Sequence, residues 1–269
     1  FSLIMLITML APSIAPTVGT VILKTLNWHW IFITLALFAI TVAITVQYVM
    51  PKSMRSTKSK KAAGGYLSVF KVRRARRYLF AQGFTFAVPM TFIANAPFAY
   101  LEHFQVSTEL FSGLLLSNIV GITIINRLNS WLLRKYEPTS LLKVFLCMQF
   151  MGVMILIAAT LIAPNNVWFA ASGFVISIAA SPGIMPNTST CFMHFFEKNA
   201  GVASALLGAM QFGISAMVSA FAAMLSNDSL WPMILTMLAA SLIAQLSILS
   251  TGNKGEVTLD ISDAELLAE

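Results

Sequence analysis

Residues 140–162 read SLLKVFLCMQFMGVMILIAATLI, an unbroken apolar run whose one charge, Lys143, sits at its start. An α-helix rises 1.5 Å per residue, so about 20 such residues cross the roughly 30 Å hydrocarbon core of a bilayer. Seven more runs of comparable length and polarity occupy 1–23, 28–50, 78–101, 110–133, 167–193, 201–225 and 231–251. The whole chain is 58% hydrophobic and 10% charged, whereas ordinary soluble domains carry about 25% charged residues. These runs predict an all-α, polytopic membrane protein with eight transmembrane helices.

The joints between the runs are short and polar except for Pro51–Arg77. Ten of the 17 Lys and Arg residues fall in that stretch, which holds no Asp or Glu. In a membrane protein such a cluster marks the cytoplasmic side, so the net charge of +7 implies no nucleic-acid partner. With Pro51–Arg77 inside, Arg134, Lys135, Lys198 and Lys254 fall inside as well, and Lys24 alone among the basic residues falls outside. Both ends of the chain are then cytoplasmic. Within the long joint, KSMRSTKSKKAAGG reads as flexible, and YLSVFKVRRARRY as a basic amphipathic helix lying on the headgroups. The tail at 252–269, GNKGEVTLDISDAELLAE, is acidic and too polar to pack alone. The chain opens on Phe1 inside an apolar run, with no basic leader and no small-residue cleavage site. The first run is therefore expected to be a span rather than a signal peptide, in a chain that lacks its true N-terminus.

Asp and Glu are absent from every run, and Arg127 lies near a cytoplasmic end where its stem can snorkel. His29 and His103 are expected in outer loops and His194 at a span end, all solvated. Cys147 and Cys191 are expected to be buried small hydrophobes. No cofactor, metal site or catalytic group is expected, because no nucleophile or metal-ligand constellation lies at membrane depth. The interiors carry small residues, prolines and amides instead. Ala11, Ala15 and Gly19 recur every four residues beside Pro12 and Pro16, and Gly201, Ser204, Gly208, Ser215 and Ser219 form a second small-residue set. Such spacing serves either static helix packing or a sliding contact. The amides Gln82, Asn95, Asn118, Asn187 and Gln211 must face protein or water, since an unpaired amide in hydrocarbon costs several kcal/mol. Each can form an interhelical hydrogen bond or line a cavity. Phe86, Phe92, Phe98 and Tyr100 read as packing or lipid-facing aromatics, and their mixture with amides also suits a pocket for lipophilic, partly polar solutes.

Three segments, taken in order, resemble the Bcr/CflA group of drug-resistance transporters in the major facilitator superfamily. LAPSIAPTVGTVI at 10–22 is similar to the antiporter motif of the fifth helix, with Ala15 and Thr20 where Gly-Pro-x-x-Gly-Gly has glycines. FIANAPFAYLEHFQVSTELFSGLLLSNIVGITIINRLNSWLL at 92–133 resembles the seventh and eighth helices through Pro97, Phe98, Phe111, Asn118 and the stretch Asn126–Asn129. NAGVASALLGAMQFGISAMV at 199–218 resembles the eleventh-helix signature Gly-x-Ala-Ser-Ala-Leu-x-Gly-x-x-Gln. The resemblance implies that the eight runs are helices five to twelve of a twelve-helix fold. Residues 1–50 would end an N-terminal bundle, 51–77 would be the central linker, 78–251 a six-helix C-terminal bundle and 252–269 a cytoplasmic tail. The four preceding helices, with the proton-carrying charges, would be missing partners of this chain.

The expected function is export of small lipophilic drugs across the inner membrane by proton antiport with alternating access. A transporter of a sugar, amino acid or siderophore is the alternative, and a membrane-embedded enzyme a more distant one. The partners are a small-molecule substrate, protons and the lipid bilayer. Asn95, Asn118 and Gln211, with Phe98 as an apolar wall, are the candidate substrate-binding residues, and Ala11, Ala15, Pro16 and Gly19 the candidate conformational motif.

Overall fold

The structure, a computed structural model, describes Ile22 and residues 25–49, 65–225 and 229–249. The chain divides into two compact units, Phe1–Lys60 and Lys61–Glu269. In the first, helix α1 (Trp28–Val49) is mostly apolar, with His29 near its start and Gln47 near its end. Its threonines keep their hydroxyls satisfied by donating four residues back, Thr34 to Trp30, Thr41 to Leu37 and Thr45 to Thr41, each at 2.8 Å. The run 1–23, with Ala11, Ala15, Pro16 and Gly19, lies outside the described residues, as does the tail 252–269.

The second unit begins with the short helix α2 (Gly65–Lys71) and α3 (Arg73–Pro97), which a π-helical stretch, Phe98–His103, prolongs. There follow α4 (Thr108–Leu132), α5 (Pro138–Ile162), α6 (Val167–Ala179), α7 (Ser181–Met193), the 3-10 stretch His194–Asn199, α8 (Ala200–Met224) and α9 (Trp231–Leu249). Counting α6 and α7 as one, six helices of this unit are long and apolar enough to cross a membrane. Local signals set their starts. Ser107 caps α4 by accepting from Leu110 N, and Asn166 caps α6 by accepting from Trp168 N and Phe169 N at 3.1 and 3.2 Å. Pro138 opens α5, where its missing N–H has no helical partner to lose.

In lipid, helices gain little by hiding apolar surface from one another, so close fit holds a bundle together. Glycines supply that fit around α5. A Cβ on Gly152 would strike the backbone of Ser177, and one on Gly183 would strike the ring of Phe145. Three apolar clusters are stacked along the unit. The first, towards Tyr100, joins Phe92, Leu156, Phe174, Ile234 and Met237 among others. A second gathers Leu142, Phe145, Ile184 and Ala244, and a third, at the Arg73 end, gathers Val69, Leu79, Phe192, Phe196 and Ala203.

Several sequence expectations are corrected. The basic stretch is not one surface helix. Arg73, Arg74, Arg76 and Arg77 form the first turns of α3 itself, and only Gly65–Lys71 stands apart, pinned to the bundle end by the buried Val69. His103 ends the π-helical stretch and His29 lies in α1, so neither is in a loop. The expected run 167–193 holds as one span, Val167–Phe196, but with a turn at Ala180, because Pro182 cannot donate to the ladder. Cys147 is exposed on the outside of α5 and Cys191 half-buried, so neither is a core residue. Of the aromatics expected to pack or to face lipid, Phe92 and Tyr100 take the packing role in the interior.

Candidate functional site

A polar seam lies between α3 and α8. Gln82 Nε2 donates to Gln211 Oε1 at 2.9 Å. One residue further along α3, Gly83 lets Ile214 of α8 approach where a Cβ would collide. Phe86 and Phe212 then meet edge to face at 5.4 Å, and Ser219 Oγ donates to the carbonyl of Met90 at 3.3 Å. The seam therefore alternates polar and apolar contacts over several turns. Gln82 is buried and Gln211 only half-buried, so the pair reaches from the interior to the surface of the bundle.

Asn95 and Asn118 are both buried, at 7% and 5% exposure, but they do not bridge helices. Asn95 Nδ2 donates to the carbonyl of Thr91 at 2.8 Å, and Asn118 Nδ2 to that of Leu114 at 3.0 Å, each within its own helix. Asn118 Oδ1 has no hydrogen-bond partner among the described residues. Phe98 stands three residues beyond Asn95, half-buried against the first cluster at the start of the π-helical stretch. Of the four candidate residues, then, Asn95 and Phe98 share one end of α3, Asn118 lies on α4, and Gln211 is joined to Gln82. No hydrogen bond links Asn95, Asn118 and Gln211 with one another. Asn187, weighed alongside them in the sequence, is a cross-helix strut. Its Nδ2 donates to Asn129 Oδ1 at 2.9 Å and to the Gly183 carbonyl at 2.6 Å.

Small residues on α8 divide between two faces. Ser215 is buried and Ser219 reaches α3, whereas Gly201, Gly208 and Gly213 have nothing within 4 Å of where a Cβ would stand. Gly113 on α4 is equally open. Phe212 and Met217 accompany the open glycines at 62% and 75% exposure. Those glycines therefore contribute no packing inside the six-helix unit.

Chemically, the site offers neutral amides and aromatic rings. Glu102, Glu109, Glu137 and Glu197 all lie at helix ends or in the 3-10 stretch, and no group of three or more His, Cys, Asp or Glu that could hold a metal occurs among the described residues. Such a surface can hydrogen-bond an uncharged solute and cover its apolar part.

The family description "Major Facilitator Superfamily" matches residues 1–220. The chain belongs to the Major Facilitator Superfamily. It is thus a multi-pass membrane protein of a transporter family, not an enzyme. Among curated relatives it is similar to a bicyclomycin resistance protein homolog of Haemophilus influenzae, 28% identical over 91% of this chain and 63% of that protein. An uncharacterized MFS-type transporter of Bacillus subtilis is 28% identical over 81% of the chain and 56% of its own length. A chloramphenicol resistance protein of Acinetobacter baumannii is 29% identical over 45% of the chain and 32% of its own length. The chain therefore spans less than two thirds of the relatives it matches. The superfamily match and the names of two relatives agree with the resemblance to drug-resistance transporters carried by the three motif segments.

Among the buried amides, one was not singled out in the sequence. Gln149 of α5 is completely buried and donates through Nε2 to the carbonyl of Thr85 at 3.3 Å. The signal for it was Pro89, in the middle of an otherwise regular run. A proline lacks the N–H that would have served the carbonyl four residues earlier, so some neighbouring donor must serve it.

Proposed function

We propose that this chain is the larger part of a secondary active transporter that exports small lipophilic drugs by proton antiport. The observation that carries this reading is similarity to a bicyclomycin resistance protein homolog over 91% of the chain. Spans without Asp or Glu that bear amides and aromatics support it, because they suit solutes that are mostly apolar with a few polar groups. The exporter lies in the inner membrane with Pro51–Arg77 and both ends of the chain in the cytoplasm, a reading supported by the basic residues gathered there. Residues 1–50 close one bundle, 51–77 link it to the next, and 78–251 form the second, with 252–269 as a tail. Four preceding helices complete the first bundle and hold the groups that carry the proton. Support comes from the greater length of the relatives and from the lack of any carboxylate at depth among the described residues.

In this reading Asn95, Asn118 and Gln211 hydrogen-bond the solute and Phe98 forms an apolar wall. Asn118 Oδ1, unpartnered, accepts from the solute, while Gln211 exchanges its bond with Gln82 for one with the solute. Ala11, Ala15, Pro16 and Gly19 make the close contact on which the bundles rock. Residues 1–269 expressed alone should leave drug accumulation at the empty-vector level, and co-expression of the preceding helices should lower it. Gradient-dependent efflux by residues 1–269 alone would place the proton path inside this chain and contradict the assignment.

A further inference from the structure

Helices α3, α7, α5 and α9 form a ring. α3 packs against α7 and α9, and α5 packs against the same two. Each helix brings one polar side chain to a common level between the first and second apolar clusters. On α3, Thr85 stands between Ala81 of the second cluster and Val88 of the first. On α5, Gln149 stands between Leu146 and Val153, and on α9, Ser241 stands between Ala244 and Ala240. Ser181 opens α7 between Ile178 and Ile184. Thr85 and Gln149 are 0% exposed, Ser241 1% and Ser181 6%.

The level is also where α3 loses a backbone bond. Pro89 has no N–H, which deprives the Thr85 carbonyl of its helical donor. Gln149 Nε2 crosses the ring from α5 and takes that place at 3.3 Å. A flipped amide would set two carbonyl oxygens against each other, so the orientation is fixed by the contact. Gln149 Oε1 is then left over. It, Thr85 Oγ1, Ser181 Oγ and Ser241 Oγ have no hydrogen-bond partner among the described residues. Many hydroxyls in these spans bond back to a carbonyl of their own helix, as Thr188 does to Ile184 and Thr160 to Leu156, although Thr91 Oγ1 and Tyr100 OH, nearer the first cluster, also lack a partner among the described residues. Four orphaned oxygens in one layer depart from the rule that buried polar groups find partners.

We propose that this layer is an internal hydration site, in which water is held by Thr85 Oγ1, Gln149 Oε1, Ser181 Oγ and Ser241 Oγ. The hydroxyls both donate and accept, the amide oxygen only accepts, and a water needs two to four such partners. A metal cation would find the same oxygens but no carboxylate to balance it, and an uncompensated buried charge costs far more than neutral dipoles return. Near-complete burial excludes the transported solute. Bound water beside the Pro89 gap gives the Thr85 carbonyl a second donor, so α3 can bend there without leaving that carbonyl bare. The inference does not depend on which solute is carried or on proton coupling.

The direct test is a structure of the purified protein in lipid nanodiscs at a resolution where ordered waters are visible. A water peak within hydrogen-bond distance of at least two of the four oxygens is expected. Hydroxyls bonded back along their own helices, with no peak in the layer, would overturn the proposal. The triple variant Thr85→Val, Ser181→Ala, Ser241→Ala should lose the peak and keep the helix packing. Persistence of the peak in that variant would contradict the assigned ligands. Because the triple variant can fail to fold, a second measurement uses the unaltered protein. Its melting temperature should be the same in sodium and choline chloride, and a rise specific to sodium would replace water with a cation.

Discussion

The two polar layers of the six-helix unit differ in how their amides are held. In the seam between α3 and α8, Gln82 donates to Gln211, which is half-exposed on a helix whose Gly208 and Gly213 face open space, while Gln82 Oε1 itself has no partner among the described residues. In the ring of α3, α7, α5 and α9, Gln149 is committed to a carbonyl stranded by a proline, its oxygen is unpaired, and the neighbouring glycines admit no added carbon. A pair that reaches the surface can exchange partners with a solute, whereas one sealed inside can serve only the backbone and water. In the proposed reading, amides that reach the surface serve transport and amides sealed inside maintain a helix.

The strongest way to break this contrast is to add bulk to glycine on each side of it. Gly183→Leu should prevent assembly, since Phe145 already fills the space and overpacking typically costs 1–3 kcal/mol or more. Gly208→Leu, with nothing within 4 Å, should leave yield and melting temperature of the described unit near those of the parent. Loss of folded protein in both variants, read by size-exclusion chromatography, would erase the distinction.

A smaller effect is expected at the proline gap. Gln149→Leu removes the donor to Thr85 and should cost about 1–3 kcal/mol, the usual penalty for stranding a buried acceptor. Pro89→Ala restores a backbone N–H to the same carbonyl, so in that background Gln149→Leu should cost less. Equal losses of thermal stability in both backgrounds would mean that Gln149 does not serve the proline gap.

The membrane class was legible because eight long apolar runs, free of Asp and Glu, admit no other solvent. Less could be read where polarity and periodicity are silent. The turn at Ala180 needed Pro182 to be weighed as a helix start inside a continuous apolar run. Burial was the hardest part, because in lipid an exposed Cys147 and a buried Leu146 sit in equally apolar sequence. Amides were visible as a class, but which ones pair across helices depends on packing. Asn187 and Gln211 do so, while Asn95 and Asn118 turn back on their own helices. The conformational motif at Ala11, Ala15, Pro16 and Gly19 rests on sequence alone.

The smallest energetic effects belong to the seam. A double-mutant cycle of Gln82→Leu and Gln211→Leu should give a coupling of about 0.6 kcal/mol, the usual size of an interhelical hydrogen bond in a membrane. Asn95→Leu and Asn118→Leu should keep near-parental yield while changing which compounds are exported. If all three of Asn95, Asn118 and Gln211 lower yield and leave the compound profile alone, their role is structural.

Proton-driven drug export is the central claim, and everted membrane vesicles carrying the complete transporter test it most directly. With the interior made acidic, labelled drug should accumulate inside the vesicles and be released when the pH gradient is collapsed. Accumulation that ignores the gradient, or that follows a sodium gradient instead, would contradict proton antiport.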